Sequence, residues 1–266
     1  MINSTTNKQV RRVANLGKKA RLRREEKLYV AEGIRMIREL VPEQTEILYA
    51  SESFLAEKDH QAMIEGFRWE AVSDQVMKVM ADTQTPQGIL ALVRQKEYSL
   101  EDILALPGPP HLMILETIQD PGNLGTILRA GEGAGITGVI MNETTADIYN
   151  PKVIRSTMGS IYRVPFVYVN DLNAACQKLK AAKIRLYAAH LRGSTDYDQE
   201  DYTTGCGFLL GNEARGLSEE TAALADTRIR IPMLGKVESL NAAVAASVLM
   251  FEAARQRRKH ADPFKR

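Results

Sequence analysis

Apolar runs of five or six residues recur along this chain, and nearly every one is followed by a stretch with helical spacing. The first series holds LYVAEG, EILYA, WEAVS and GILALV. The second holds LMILE, GVIMN, VPFVYV, RLYAAH, GFLLG and RIRIP. Runs apolar on both faces need cover on both sides, and intervening helices supply it, so the pattern predicts α/β architecture with parallel sheets. Between the two series lies QKEYSLEDILALPGPPHL, whose charged start and Pro-Gly-Pro-Pro cluster read as a linker. At 266 residues, 44% of them hydrophobic, the chain can enclose two cores. The expected division is a small N-terminal domain over 1–97, a linker over 98–110 and a larger domain over 111–266.

Composition removes several classes of protein. Cys176 and Cys206 follow no metal-ligand spacing and only four histidines are scattered along the chain, so no metal site is expected. The start, MINSTTNKQVRRV, has no apolar signal region, and no stretch approaches the roughly 18 apolar residues of a membrane span. A cytoplasmic protein with reduced thiols is the reading. The net charge of +2 conceals an uneven distribution. Nine basic residues fall between Lys8 and Lys27 against Glu25 and Glu26 alone, and a second basic run from Arg255 closes the chain. Such clusters are either solvated helix faces or a surface for nucleic-acid phosphates, and composition does not choose between them.

The glycines need sorting. Gly133-Ala-Gly135-Ile-Thr-Gly138 matches the literal dinucleotide pattern, but a helix precedes it and a strand follows, the reverse of what that motif requires. These glycines suit a helix C-terminus and the turn after it. Three other loops carry more information, each at the end of an apolar run where α/β proteins build sites. After LMILE comes TIQDPGNLGTILRAGEGAG, with a helix predicted from Asn123 and Arg129 on its second turn. After GFLLG comes Asn212-Glu213-Ala-Arg-Gly216, and RIRIP runs through MLGKVESLN into an alanine-rich final helix.

Read together, NLGTILR (Asn123 to Arg129), GNEARG (Gly211 to Gly216) and IPMLGKVESLN (Ile231 to Asn241) resemble the three motifs of the SpoU/TrmH branch of the SPOUT RNA methyltransferases, in their order. NPKVIRSTMGSIYRVP, from Asn150 to Pro165, is similar to that family's segment between motifs one and two. YVAEGIRMIREL and TQTPQGILALV are similar to the small, ribosomal-protein-like RNA-binding domain often fused ahead of it.

The resemblance implies a parallel sheet whose C-terminal part forms a deep trefoil knot, an exception to the usual unknotted chain. It implies a homodimer with each active site at the subunit interface, the alanines of the final helix (Ala242, Ala243, Ala245, Ala246) being a natural dimer surface. It implies S-adenosylmethionine held by backbone groups around Ala189, Gly211, Asn212, Ile231, Met233 and Leu240, with Ile231 and Leu240 flanking adenine. The implied reaction is methyl transfer to a ribose 2′-hydroxyl, most simply of ribosomal RNA. Transfer RNA, a base nitrogen or a non-catalytic RNA-binding module are the alternatives. Arg129 would act at the reacting oxygen; arginine is effectively always protonated, so holding a phosphate or stabilising developing charge suits it better than acting as a base. Asn123, Glu213, Ser239 and Asn241 would orient the reacting groups, and Ser239 and Asn241 could equally cap the final helix. Lys18, Lys19, Arg21, Arg23, Arg24, Lys152 and Arg155 are the expected phosphate contacts.

Overall fold

The computed structural model describes residues 1–193 and 195–261. The chain divides into two compact units, Met1–Lys96 with Asp147–Tyr162, and Glu97–Ala146 with Arg163–Arg266.

The first unit holds four strands, β1 (Leu28–Glu32), β2 (Thr45–Ser51), β3 (Trp69–Val72) and β4 (Ile89–Arg94), in the order β1-β4-β2-β3. Only β2 and β3 pair in parallel; β4 runs antiparallel to both β1 and β2, so the all-parallel expectation fails in this unit. The helix Lys8–Lys18 is capped by Asn7, whose Oδ1 accepts from Gln9 N at 2.8 Å. Its Val10, Val13 and Leu16, three residues apart, are fully buried against Leu28, Val30, Tyr49 and Leu92. Each such side chain stabilises the unit by about 1.5–3 kcal/mol. The opposite face carries the basic residues.

Residues 147–162 complete this unit although most of the second unit's sequence surrounds them. Asn150 caps the helix Pro151–Thr157, with proline at its first position, where its missing N–H costs nothing. Tyr149 stacks on Tyr29 at 4.7 Å and donates to Lys96 O. Arg23, only 2% exposed, donates from Nε and Nη2 to Asp147 Oδ2 at 2.9 and 2.6 Å, and from Nη1 to the carbonyls of Leu16 and Gly17.

The second unit holds β5 (His111–Leu115), β6 (Gly138–Asn142), β7 (Phe166–Val169), β8 (Arg185–Ala189), β9 (Thr195–Asp196), β10 (Cys206–Leu210) and β11 (Thr227–Arg230). Their order is β7-β6-β5-β10-β8-β11-β9 and every pairing is parallel. Leu112 and Ile114 of β5 and Leu209 of β10 join one core with Leu172, Cys176 and Leu179 of the helix Leu172–Ala181. The segment expected as a linker contributes here: its helix Leu100–Leu104 buries Leu100 and Ile103 in that same core, as the apolar spacing of LEDIL allows.

The helices Pro121–Ala134 and Ala242–Ala261 pack against each other at Gly131, where a Cβ would press on Ile136 and Met250. Ala243, Ala246, Leu249, Met250 and Ala253 of the last helix are buried, at helical spacing. Ala243 and Ala246 therefore face inward, Ala242 and Ala245 are half-buried, and the exposed apolar side chains of this helix are Val244 and Phe251. Arg257 ties down that helix by donating to the carbonyls of Pro109, Pro110, Tyr202 and Thr204. Among the described residues no helix is long and apolar enough to cross a membrane, and no group of three His, Cys, Asp or Glu is placed to hold a metal ion.

Candidate active site

Strand order reverses around β5 and β10, and the loops leaving the carboxyl ends of β5, β10, β8 and β11 gather there, where open α/β sheets bind ligands. After β5 the chain turns through Thr117, whose φ of +59° lies in the left-handed region, a conformation that costs a β-branched residue about 1–3 kcal/mol. Asp120 then caps the next helix, its Oδ1 accepting from Asn123 N at 2.8 Å, with Pro121 at the first position. That Asp-Pro signal starts the helix two residues earlier than predicted and puts Arg129 in its third turn. Arg129 is exposed, and among the described residues it makes no hydrogen bond or ion pair.

After β10, Gly211 is buried where a Cβ would collide with the backbone of Gly216 and Leu217. The turn closes through Asn212, whose Oδ1 accepts from the N–H groups of Ala214 (3.0 Å) and Arg215 (3.1 Å), while Gly216 N donates to Asn212 O. Gly216 supplies the left-handed φ of +71° that the turn requires.

A chain of side-chain hydrogen bonds joins all three motifs. Asn241 Nδ2 donates to Asn123 Oδ1 at 2.9 Å, and Asn123 Nδ2 donates to Glu213 Oε1 at 3.0 Å. Glu213 also accepts from the backbone N–H of Asp120 (3.0 Å) and Gln119 (3.2 Å). Burial pushes the Glu213 carboxyl up, but the Asn123 amide and these backbone donors outweigh it and hold the group below the usual carboxylate range. With an ionised acceptor at one end and a helix at the other, each amide has one orientation that satisfies its neighbours. Asn241 caps the last helix, its Oδ1 accepting from Ala243 N and Val244 N; among the described residues Ser239 makes no such bond.

Two cavities flank this chain. The larger, about 1040 Å³, is lined by every residue predicted for the cofactor (Ala189, Gly211, Asn212, Ile231, Met233, Leu240) and by Glu213, Glu238 and Ser239. The smaller, about 640 Å³, is lined by Gln119, Asp120, Asn123 and Asn241, and shares Asn212, Glu213 and Ala214 with the first. Arg129 lines neither. The larger volume matches what a nucleoside-sized ligand needs, Ile231 and Leu240 give it half-buried apolar walls, and the Gly211 contact shows backbone brought as close as glycine allows. S-adenosylmethionine fits that chemistry.

The expected phosphate contacts lie in the first unit. Lys18, Lys19, Arg21, Arg24 and Lys152 are exposed, Arg21 pairing with Glu25 at 2.6 Å. Arg155 is half-buried and paired with Asp82 at 2.6 Å. Arg23 does not belong with them: its guanidinium is enclosed with Asp147, a partner 124 residues away that charge counting cannot reveal. Sequence reasoning also passed over Thr117 and the N–H groups of Gln119 and Asp120. Asp-Pro was a legible helix start, whereas a left-handed threonine leaves no signal.

A parallel sheet with three polar loops converging on a backbone-walled cavity, preceded by a small α/β unit, is the arrangement that the resemblance to SPOUT methyltransferases implies. Residues 110–251 match the model of the SpoU rRNA Methylase family, and residues 7–91 match that of the MRM3-like substrate binding domain. The chain belongs to the SpoU rRNA methylase family. It is 31% identical over 186 residues to the 23S rRNA (guanosine(2553)-2′-O)-methyltransferase RlmP of Bacillus subtilis, covering 70% of this chain and 72% of that protein. It is 32% identical over 200 residues to the 23S rRNA (guanosine-2′-O-)-methyltransferase RlmB of Bordetella pertussis, covering 74% and 82%. Among solved structures, the SpoU methyltransferase AviRb from Streptomyces viridochromogenes in complex with AdoMet superposes with a TM-score of 0.86 at 26% identity, over 94% of this chain and 98% of that one. The AdoMet-bound rRNA methyltransferase from Sinorhizobium meliloti gives 0.83 at 30% identity, over 96% and 97%.

Proposed function

We propose that this protein transfers the methyl group of S-adenosylmethionine to a ribose 2′-hydroxyl of ribosomal RNA. The observation that carries the reading is the Asn241–Asn123–Glu213 chain set against a cavity lined by all the predicted cofactor residues. The relatives named as 23S rRNA 2′-O-methyltransferases support the substrate, and the AdoMet complexes of similar structures support the cofactor. A cytoplasmic location goes with that substrate.

When bound, the cofactor supplies an electrophilic methyl on a sulfonium. The chain's part is to hold the hydroxyl in line with it and to lower the barrier to losing a proton. Glu213 is unsuited to removing that proton because its oxygens already accept from Asn123, Asp120 and Gln119. It acts by fixing the Asn123 amide. Ser239, which lines the larger cavity, and Asn123 and Asn241, which line the smaller one, would orient the reacting groups. Arg129, with five donors and no partner among the described residues, would hold the adjoining phosphate or the developing oxyanion.

A homodimer would account for Arg129 lining neither cavity of its own chain: the arginine would serve a site shared with a second copy. The exposed Val244 and Phe251 support this, because Phe251 lies against Gly133, one turn beyond Arg129. The strand order β5-β10-β8-β11, with the last helix packed back on Pro121–Ala134, supports the trefoil knot. Arg129→Ala is expected to abolish methylation while S-adenosylmethionine still binds; near-normal turnover would defeat the assignment.

A further inference from the structure

Thr117 carries a backbone conformation ordinarily left to glycine. Conformations of this kind persist only where the surroundings over-determine them, and they cluster where a site needs a particular geometry. The surroundings of Thr117 are a closed set of polar groups from the end of β6. Its N–H donates to Asn142 Oδ1 at 2.8 Å, Asn142 Nδ2 returns a bond to Thr117 Oγ1 at 3.0 Å, and Oγ1 lies 2.7 Å from Thr144 Oγ1. Thr145 Oγ1 donates to Asn142 Oδ1 at 2.9 Å and so fixes the asparagine in turn.

The consequence appears on the other side of the residue. Thr117 O accepts from Asn212 Nδ2 at 3.0 Å, which leaves Asn212 Oδ1 facing the N–H groups of Ala214 and Arg215. Thr117 thus fixes the Asn212 amide from its donor end as Ala214 N and Arg215 N fix it from its acceptor end, and Asn212 builds the turn that walls the larger cavity. Two and three residues further on, Gln119 and Asp120 present their N–H groups to Glu213. A right-handed or extended Thr117 would aim its carbonyl elsewhere and break this series at its first member.

We propose that Thr117 is a positioning residue for the cofactor cleft, its left-handed backbone latched by Asn142 and Thr144 so that its carbonyl orients Asn212. The inference rests on the methyl-transfer reading of that cleft. Threonine contributes what glycine lacks, a hydroxyl that ties the strained conformation to β6.

Three variants separate backbone from side chain. Thr117→Ala loses the hydroxyl and keeps a Cβ that disfavours the left-handed state; Thr117→Gly loses both; Thr117→Ser keeps the hydroxyl. S-adenosylmethionine affinity by calorimetry and the KM for RNA are measured on each full-length folded protein. The Ala variant is expected to bind the cofactor about tenfold more weakly, the scale of one lost orienting hydrogen bond, with Gly and Ser within about threefold of wild type. The KM for RNA should stay constant throughout, which a general loss of structure would not produce. An Ala variant that binds as tightly as wild type, or a Gly variant as weak as Ala, overturns the proposal. If Ala fails to fold, Gly alone decides: near-wild-type affinity without the hydroxyl supports the backbone role, and a tenfold loss refutes it. A wild-type protein that does not bind S-adenosylmethionine overturns the reading of the cleft, and this inference with it.

Discussion

Glu213→Gln changes one atom at the junction of the three motifs, and the structure sets the size of its effect. Oε1 accepts from Asp120 N and Asn123 Nδ2, both at 3.0 Å, and Oε2 accepts from Gln119 N at 3.2 Å and Asn212 Nδ2 at 3.5 Å. A glutamine amide offers one accepting oxygen and one donating NH₂, so in either orientation two donors face another donor. Hydrogen bonds to a charged group contribute about 1.5–3 kcal/mol each. Glu213 is exposed as a whole and one of its bonds is long, so a total loss of about 1–2 kcal/mol is expected, roughly 5- to 30-fold in kcat/KM. The assay is transfer of a tritiated methyl group to RNA, with thermal melting of both proteins as a function of pH. The carboxyl is held below its ordinary value of 4.5, so its contribution to stability is complete above that value and disappears as pH falls through the depressed one. The melting difference between wild type and variant should therefore stay constant from about pH 8 to about pH 5 and close only at lower pH. A variant with wild-type turnover and melting, or a difference that closes on raising the pH, would refute the reasoning.

Gly211→Ala drives a methyl into the backbone of Gly216 and Leu217 and should cost about 1–3 kcal/mol of stability together with cofactor binding; calorimetry and melting read both. Arg23→Ala strands Asp147, whose side chain is 27% exposed, and should destabilise the first unit by about 3 kcal/mol, the low end for a buried pair, in denaturant titration. It should leave the salt dependence of RNA binding unchanged. Replacing Lys18, Lys19 and Arg24 with glutamine should instead lower the slope of log affinity against log salt by about 0.7–0.9 for each phosphate no longer neutralised. Binding indifferent to ionic strength would count against the basic face.

Much of this architecture was legible because it rests on local signals. Five- and six-residue apolar runs alternating with helical spacing mark six of the seven strands of the second unit, the two-residue polar β9 giving no such run, and Asn150-Pro151 marks a helix start to the residue. What escaped depends on distance. The packing of 147–162 into the first unit hangs on Arg23 meeting Asp147 and Tyr29 meeting Tyr149, pairings no local pattern encodes. The direction of β4 follows from its insertion between β1 and β2, so the antiparallel pairing with both was likewise invisible. At the site, the motifs announced Asn123, Glu213 and Asn241, and the structure joins them. It also shows why the final helix is rich in alanine: Ala243 and Ala246 face a packed interior, leaving Val244 and Phe251 outside.

The central claim is chemical, and incubating the protein with tritium-labelled S-adenosylmethionine and separate pools of ribosomal and transfer RNA tests it directly, with the methylated position mapped in the product. The account predicts label in ribosomal RNA, on a ribose 2′-oxygen, lost with Arg129→Ala. Label on a base, label confined to transfer RNA, or no transfer at all would contradict it.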